Sequence, residues 1–526
     1  MKKTLYLTLP FLLSIFLAYF LNPWFFFGAD SSVLLISSIF LVLVLVLNLK
    51  LESFHRFLDS KSQTLPVTIL ATLFIILMIS FPVQDLRLGD GIILVENLIL
   101  ETELFGYNLV PDEIFEGLTH SLLYSVMKQY ISNPLTPYRL LSSIAGLGLI
   151  TSLIIFLIKK RNLHFLILMG FLSNSGILLF YGYTEHYTLV TLNLFLVLIF
   201  GIFYLDQDKR PDPIQVYTIA ALSALSLLFH LISGFFIFGL IYFALYSSKN
   251  RKQFLTLGIQ SSLLAGIMIL PVYIYFTFFS DLRIDPGLTH ATHLPFLKIS
   301  QIFSMSHFRD LVYEFLFLST PSIFVIFYAV VFYNQEFHEV LKKPSSRFLI
   351  LSFLGIFFHF FAYNPMLGYP ADWDLMGFIW IPLSVFGIIV LIDIPQIKFQ
   401  LSVHFLYFIL LINLLAYHLD LKPSQKEKIE FLSASIREYS ILEKNKIINT
   451  KPELKKMISH TGFFLYRTGK VLEKKEGHSD LKEMHKILSD EFHKNEKIFN
   501  QKEELKIFLK KATEFHLQYL KEIENH

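Results

Sequence analysis

The 526-residue chain contains no cysteine. Disulfides, thiolate metal sites and cysteine nucleophiles are thereby excluded, while the absence says little about compartment. Charge is also scarce: 17% of residues are charged and the formal net charge is +3. No basic excess exists to neutralise phosphates along a nucleic acid, so nucleic acid is not an expected partner. The chain holds no H-E-x-x-H or comparable metal-ligand spacing. What it has instead is apolar length. Hydrophobic residues make up 54%, with 56 Phe, above the share usual in soluble domains. They come in blocks of roughly 17–25 residues, the length that crosses a bilayer as helix.

The expected fold is all-α: a polytopic membrane domain over 1–418 and a soluble helical tail over 419–526. Spans are predicted near 4–23, 33–49, 65–83, 139–158, 163–181, 187–205, 215–230, 231–247, 254–279, 311–333, 348–363, 375–393 and 401–418, about 13 transmembrane helices in all. The first follows Lys2 and Lys3 without a small-residue cleavage site and reads as an uncleaved span. The pair 215–247 has little polar break beyond His230, Ser233 and Gly234, and one long tilted helix is the alternative to a hairpin.

Lys and Arg in short loops sort the two sides. Lys50, Arg56, Lys61, Lys159, Lys160, Arg161, Lys209, Arg210, Lys249, Arg251, Lys252, Lys342, Lys343, Arg347 and Lys398 fall on one side with the N-terminus. The alternate loops hold few basic residues. This places the N-terminus in the cytoplasm, the 84–138 loop outside and, with an odd span count, the tail outside. A single span over 215–247 would reverse every later loop and spoil the sorting, which favours the hairpin.

The outer side collects the unusual polar residues. Residues 84–120 place Asp85, Asp90, Glu96, Glu101, Glu103, Asp112, Glu113 and Glu116 close together, with His120 after them. Carboxylates between spans must lie in water or line a polar cavity; ordinary surface acids on a solvated loop are the plain alternative. Asp90 opens the loop just past a span end, between Gly89 and Gly91, which permits close substrate approach. It is the candidate base, or else a turn residue capping the next helix. Glu116 and His120, four apart, share a helical face and could bind acceptor or phosphate, or form a local surface pair. Glu185 and His186 lie in a very short interspan loop with Tyr183; an interfacial aromatic belt is the rival reading. Asp372 and Asp374 flank Trp373 and could bind a sugar or a divalent ion, or Asp374 could start a helix. His230, His290, His293 and His307, with Arg139, Arg283, Lys298 and Arg309, are the remaining phosphate candidates. Trp373 and Tyr183 are the aromatics assigned to sugar stacking. No cofactor is demanded, and a divalent cation is left open.

Three segments resemble the GT-C fold glycosyltransferases, multi-span enzymes of the protein mannosyltransferase and aminoarabinose-transferase kind. They are GDGIILVENLILETELFG followed by FEGLTHSLLYSVMKQYISNPLTPYRLLSSIAGLGLI; SNSGILLFYGYTEHYTLVTLNLFLVLIFGIFYL; and FHLISGFFIFGLIYFAL. Together they cover about residues 85–250. Order and spacing carry the resemblance; Asp90-Gly91 stands where a paired acid is common, and Gly117 where Pro is frequent. The resemblance implies transfer of a sugar from a polyprenyl-phosphate carrier to a glycolipid, glycan or protein at the outer face of an inner (plasma) membrane. It implies a catalytic acid at Asp90 and a second acidic element at Glu185. The partners it implies are a polyprenyl-phosphate-linked sugar donor, membrane lipid and an acceptor. A lipid or sugar transporter would instead call for ionisable residues deep in spans and interrupted helix pairs in two related halves, which the sequence does not display. A non-catalytic scaffold working through its tail is the third reading.

Overall fold

The computed structural model describes residues 62–83, 94, 112–127, 130, 135–279, 296–365, 373–420, 472, 479–495 and a few positions between 507 and 518. The expected spans 4–23 and 33–49, Asp90 with most of the acidic loop, Arg283, His290, His293 and Asp372 lie outside these residues. Contacts divide the chain into two compact units, Met1–Leu421 and Lys422–His526.

The first unit is a multi-pass membrane bundle. The helices introduced here are α1 Thr64–Ser80, α2 Ile114–Met127, α3 Leu135–Lys159, α4 Phe165–Leu172, α5 Thr188–Leu205, α6 Pro213–Phe229, α7 Ile237–Ser247, α8 Arg251–Ile274, α9 Met305–Phe332, α10 Asn334–Lys342, α11 Pro344–Ala362, α12 Trp380–Asp393 and α13 Ser402–Asp420. Six described helical stretches are long and apolar enough to cross a membrane: Leu135–Lys159, Thr188–Leu205, Arg251–Phe279, Met305–Phe332, Pro344–Ala362 and Trp373–Asp393. Shorter apolar helices lie at Thr64–Ser80, Pro213–Phe229, Leu231–Ser247 and His404–Asn413.

One expected span is interrupted, and the pair expected over 215–247 is two helices. The block 163–181 is not one helix: α4 ends at Leu172 and a 3-10 segment, Ser175–Phe180, follows. Asn174 fills the break, donating to the Gly170 and Phe171 carbonyls (3.1 and 2.9 Å) and accepting from the Ser322 hydroxyl of α9 (2.8 Å). These bonds satisfy groups that water cannot reach inside the bundle. The block 215–247 is two helices. His230 is extended (φ −158°, ψ 128°), its Nδ1 accepts from the Ile232 amide (3.1 Å), and a 3-10 segment, Leu231–Phe236, leads into α7. Arg210, before α6, donates to the Ser248 carbonyl just after α7 (2.7 Å). Both ends of the pair therefore meet, and the segment is a hairpin.

Glycine lets the helices approach closely, as is usual where membrane interfaces lack a hydrophobic driving force. A Cβ on Gly355 of α11 would fall 1.9 Å from the Phe235 carbonyl oxygen, and one on Gly201 would fall 2.6 Å from the Phe348 ring. Polar side chains add interhelical bonds: Asn193 of α5 to Leu222 and Ser226 of α6 (both 2.7 Å), and Tyr181 to Asn413 of α13 (3.0 Å).

The basic loops gather at one end, where Lys160 pairs with Asp206 (2.5 Å) beside the Arg210–Ser248 contact. At the other end the backbone links Val83 to Tyr181 (2.6 Å), Leu231 to Asp112 (2.9 Å) and Leu297 to Ala362 (2.9 Å).

In the second unit, Ser479–Asn495 is an amphipathic helix burying Leu481, Leu488 and Phe492. Phe492 packs against Phe508 (5.8 Å), and Lys511 pairs with Glu491 (2.8 Å). The other expected tail helices lie wholly or largely outside the described residues.

Candidate functional site

At the end away from the basic loops, five segments distant in sequence bring polar groups together. They are the start of α2, the start of α3, the 181–187 loop, the break at His230 and the 373–378 turn.

Glu113, just before α2, is the hub. Its Oε2 accepts from His186 Nδ1 (2.8 Å), and its Oε1 lies 3.4 Å from His230 Nε2. His186 Nε2 then meets the Tyr138 hydroxyl (3.1 Å). The result is a carboxylate–imidazole–phenol chain across three segments. Burial alone would raise the Glu113 carboxyl, but hydrogen bonds and charge from His186 and His230 outweigh it and hold the group well below the usual glutamate range. An ionised Glu113 fixes the His186 ring with Nδ1–H toward the carboxylate and Nε2 toward Tyr138. A neutral His186 accepts the phenol proton, and a protonated one leaves that proton free for a ligand.

Glu116 and His120 do share a face of α2, but not as a surface pair: they are 0% and 1% exposed. Glu116 Oε1 accepts from the Leu189 and Val190 amides (both 2.9 Å) at the start of α5. Tyr187, the residue preceding that helix, supplies no side-chain cap. Glu116 thus caps α5 from another helix, satisfying two orphan amides and complementing the helix dipole. Burial pushes its carboxyl up to about 7. His120 Nδ1 donates to the Glu116 carbonyl (2.8 Å), and its ring stacks on Tyr138 (4.2 Å between centroids). Burial, helped by the nearby His186, pushes His120 down to about 3. The ring is neutral at physiological pH, and Nε2 is left as an acceptor.

Beside this chain lies a second group. Trp373 Nε1 donates to the Tyr183 hydroxyl (3.1 Å), with the rings 5.3 Å apart. Both are buried against each other, so neither is a free sugar platform. Burial, followed by the charges of Asp374 and Glu185, raises the Tyr183 hydroxyl well above the usual phenol range. Glu185 is buried in the same loop. Asp374 does not precede a helix as its cap. It sits in the first turn of Trp373–Met376, and its Oδ1 accepts from the Leu375 amide (2.8 Å). Tyr187 and Phe378 close the space around His230, with centroids 5.3 and 6.2 Å away.

Arg139 follows Tyr138 and runs along the 181–187 loop. A Cβ on Gly182 would meet Pro82 at 2.9 Å and Arg139 at 3.1 Å. Gly182 has φ +67°, so the loop needs glycine for conformation and for space. Other phosphate candidates stand apart: His307 Nε2 bonds the Phe361 carbonyl (2.9 Å), Lys298 is exposed, and Arg309 lies beside Asp310 (3.4 Å). Among the described residues no group of three or more His, Asp or Glu is disposed to hold a metal ion.

The structure therefore brings together Glu116, His120, Tyr183, Glu185, His186, His230, Arg139, Trp373 and Asp374. It adds Tyr138 and gives Glu113 the central place. Glu113 carries a sequence signal, three residues before Glu116 on the same helical stretch. Tyr138 carries none, because its partners come from elsewhere in the chain.

No family model and no curated protein matches the chain. Among solved structures, the crystal structure of ArnT from Cupriavidus metallidurans bound to undecaprenyl phosphate is similar, with a TM-score of 0.40 and 9% identity over 85% of this chain and 75% of that one. At that distance the likeness says nothing of this chain's chemistry.

Proposed function

We propose that the chain is a membrane glycosyltransferase that moves a sugar from a polyprenyl-phosphate carrier to a glycolipid, glycan or protein acceptor at the outer face of the membrane. The observation that carries this reading is the buried Glu113–His186–Tyr138 chain with His120 and His230. Ionisable groups at such a place are costly in a membrane protein and mark working sites. They cluster at the end opposite the basic loops, where positive-inside sorting places the exterior. The sequence resemblance over 85–250 supplies the reaction class.

In this reading an acceptor hydroxyl oxygen attacks the anomeric carbon while the bond from that carbon to the phosphate oxygen breaks. Polyprenyl phosphate leaves with the bonding electrons, and Asp90 takes the hydroxyl proton. Glu113 keeps His186 oriented, and a protonated His186 frees the Tyr138 hydroxyl to donate to the charge developing on the leaving phosphate. Arg139 is the nearby permanent cation. Glu185 is the second acid of the site. The test is transfer by the purified full chain from polyprenyl-phosphate sugars. Asp90→Asn should abolish transfer with insertion unchanged, and full activity in that variant would remove Asp90 from the base role.

The interrupted span at Asn174 favours a second reading, movement of a lipid-linked sugar across the membrane. Reconstituted protein that carries labelled lipid between leaflets without releasing polyprenyl phosphate would replace the transferase by this one.

A further inference from the structure

The stretch Arg251–Phe279, which α8 opens, is the least covered of the described membrane-length helices: 6% of it is buried, against 44–89% for the others. One side of α8 is fixed to the bundle, where the Tyr217 hydroxyl of α6 hydrogen-bonds Gln260 and Leu257 is buried. The other side is open and shaped. A groove of about 490 Å³ runs along it, lined by Phe254, Leu255, Gly258, Ile259, Ser262 and Leu263. Gly258 makes the notch, since a Cβ there would have no atom within 4 Å. Leu255, Ile259 and Leu263 stand out beside it, all largely exposed. Just before the groove, Lys249, Arg251 and Lys252 are exposed at the end where the basic loops gather. Among the described residues no carboxylate pairs with them. Phe254 to Leu263 covers about 13 Å along the helix axis, so the groove stays within one leaflet, whose hydrocarbon is about 15 Å deep.

We propose that this face of α8 holds an anionic phospholipid, with one acyl chain in the Gly258 groove and the headgroup at Lys249, Arg251 and Lys252. The site is separate from the transferase reading and does not depend on it. Charge selects the headgroup. Three cations with no acid beside them attract a net negative head, whereas a zwitterionic choline head brings a cation of its own. Shape and depth select the tail: the groove is apolar apart from Ser262, one glycine wide at its notch, and ends inside the leaflet in which it begins. A second copy of α8 is the rival occupant, because Gly258 and Ser262 are one turn apart and small residues at that spacing let helices approach. A parallel pair crossing at Gly258 would press two triads of like charge together, which an anionic lipid instead neutralises.

The test is native mass spectrometry of the purified full chain in detergent, titrated with phosphatidylglycerol or with phosphatidylcholine of the same acyl chains. Wild type should retain phosphatidylglycerol about 10-fold more tightly. Gly258→Leu, which fills the notch, should remove that preference. Arg251→Gln combined with Lys252→Gln, which leaves the groove intact, should remove it too. Gly266→Leu, beyond the groove and where a Cβ would meet only Leu270, should keep it. Equal retention of the two lipids by wild type would reduce this face to ordinary lipid contact and overturn the proposal. A preference that survives either the notch or the charge variant would place the anionic site elsewhere and overturn it. A wild-type dimer that Gly258→Leu dissociates would give the groove to a second copy and overturn it as well.

Discussion

Glu113 is the residue on which the candidate site turns. Replacing it by Gln keeps the shape but removes the charge that orients His186. Transfer should fall about 10²-fold, the scale of acid–base contributions, with insertion unchanged; a wild-type rate in the purified variant would reduce Glu113 to packing. The titrations of its neighbours make a separate prediction. Glu116 rises from 4.5 to about 7, so its contribution to stability is complete below pH 4.5 and is lost as pH rises through 7. His120 falls from 6.5 to about 3, so its contribution is complete above pH 6.5 and is lost as pH falls toward 3. Between pH 4.5 and 6.5 the two slopes oppose, each about 1.4 kcal/mol per pH unit. Glu116→Gln keeps an acceptor for the Leu189 and Val190 amides and removes one slope. Its melting temperature should therefore climb with pH across that window relative to wild type, and parallel profiles would contradict the assignment. The acids and histidines were visible as residue types in the sequence. Their pairing was not, because Glu113 and His186 are 73 residues apart and no local spacing links them.

At the scale of elements, hydrophobic blocks locate the helices well. The expected 139–158, 187–205 and 348–363 fall within Leu135–Lys159, at Thr188–Leu205 and about Pro344–Ala362. Apolar length does not reveal the breaks. Asn174 interrupts its block through local hydrogen bonds, which a hydropathy window averages away, whereas the turn at His230 was legible from the basic sorting of the loops. Close approach is equally silent in the pattern, and it is testable at Gly355. There Gly355→Ala would press a methyl group into the Phe235 carbonyl, at a cost of about 1–3 kcal/mol. A lower melting temperature in detergent is expected, and an unchanged one would show that the Leu231–Phe236 segment and α11 are free to separate.

For the whole molecule, the absence of cysteine becomes useful. A single introduced cysteine is the chain's only thiol, so sidedness can be read position by position with a membrane-impermeant maleimide. Lys209→Cys and Lys249→Cys should stay unlabelled in intact cells, and Tyr130→Cys and Lys298→Cys should label; the reverse pattern would invert the topology and put the candidate site inside. The basic sorting was legible in the sequence because it depends on composition of loops alone. So was the gathering of the polar segments at the outer end; their pairwise contacts were not, because those are a property of packing. The most direct test of the central claim is lipid and glycan analysis of cells carrying either the wild-type chain or Glu113→Gln at matched membrane levels. A polyprenyl-phosphate sugar should accumulate in the variant while one envelope glycan, glycolipid or glycoprotein loses a single residue. Unchanged lipid and glycan profiles, with the variant confirmed in the membrane, would contradict the transferase account.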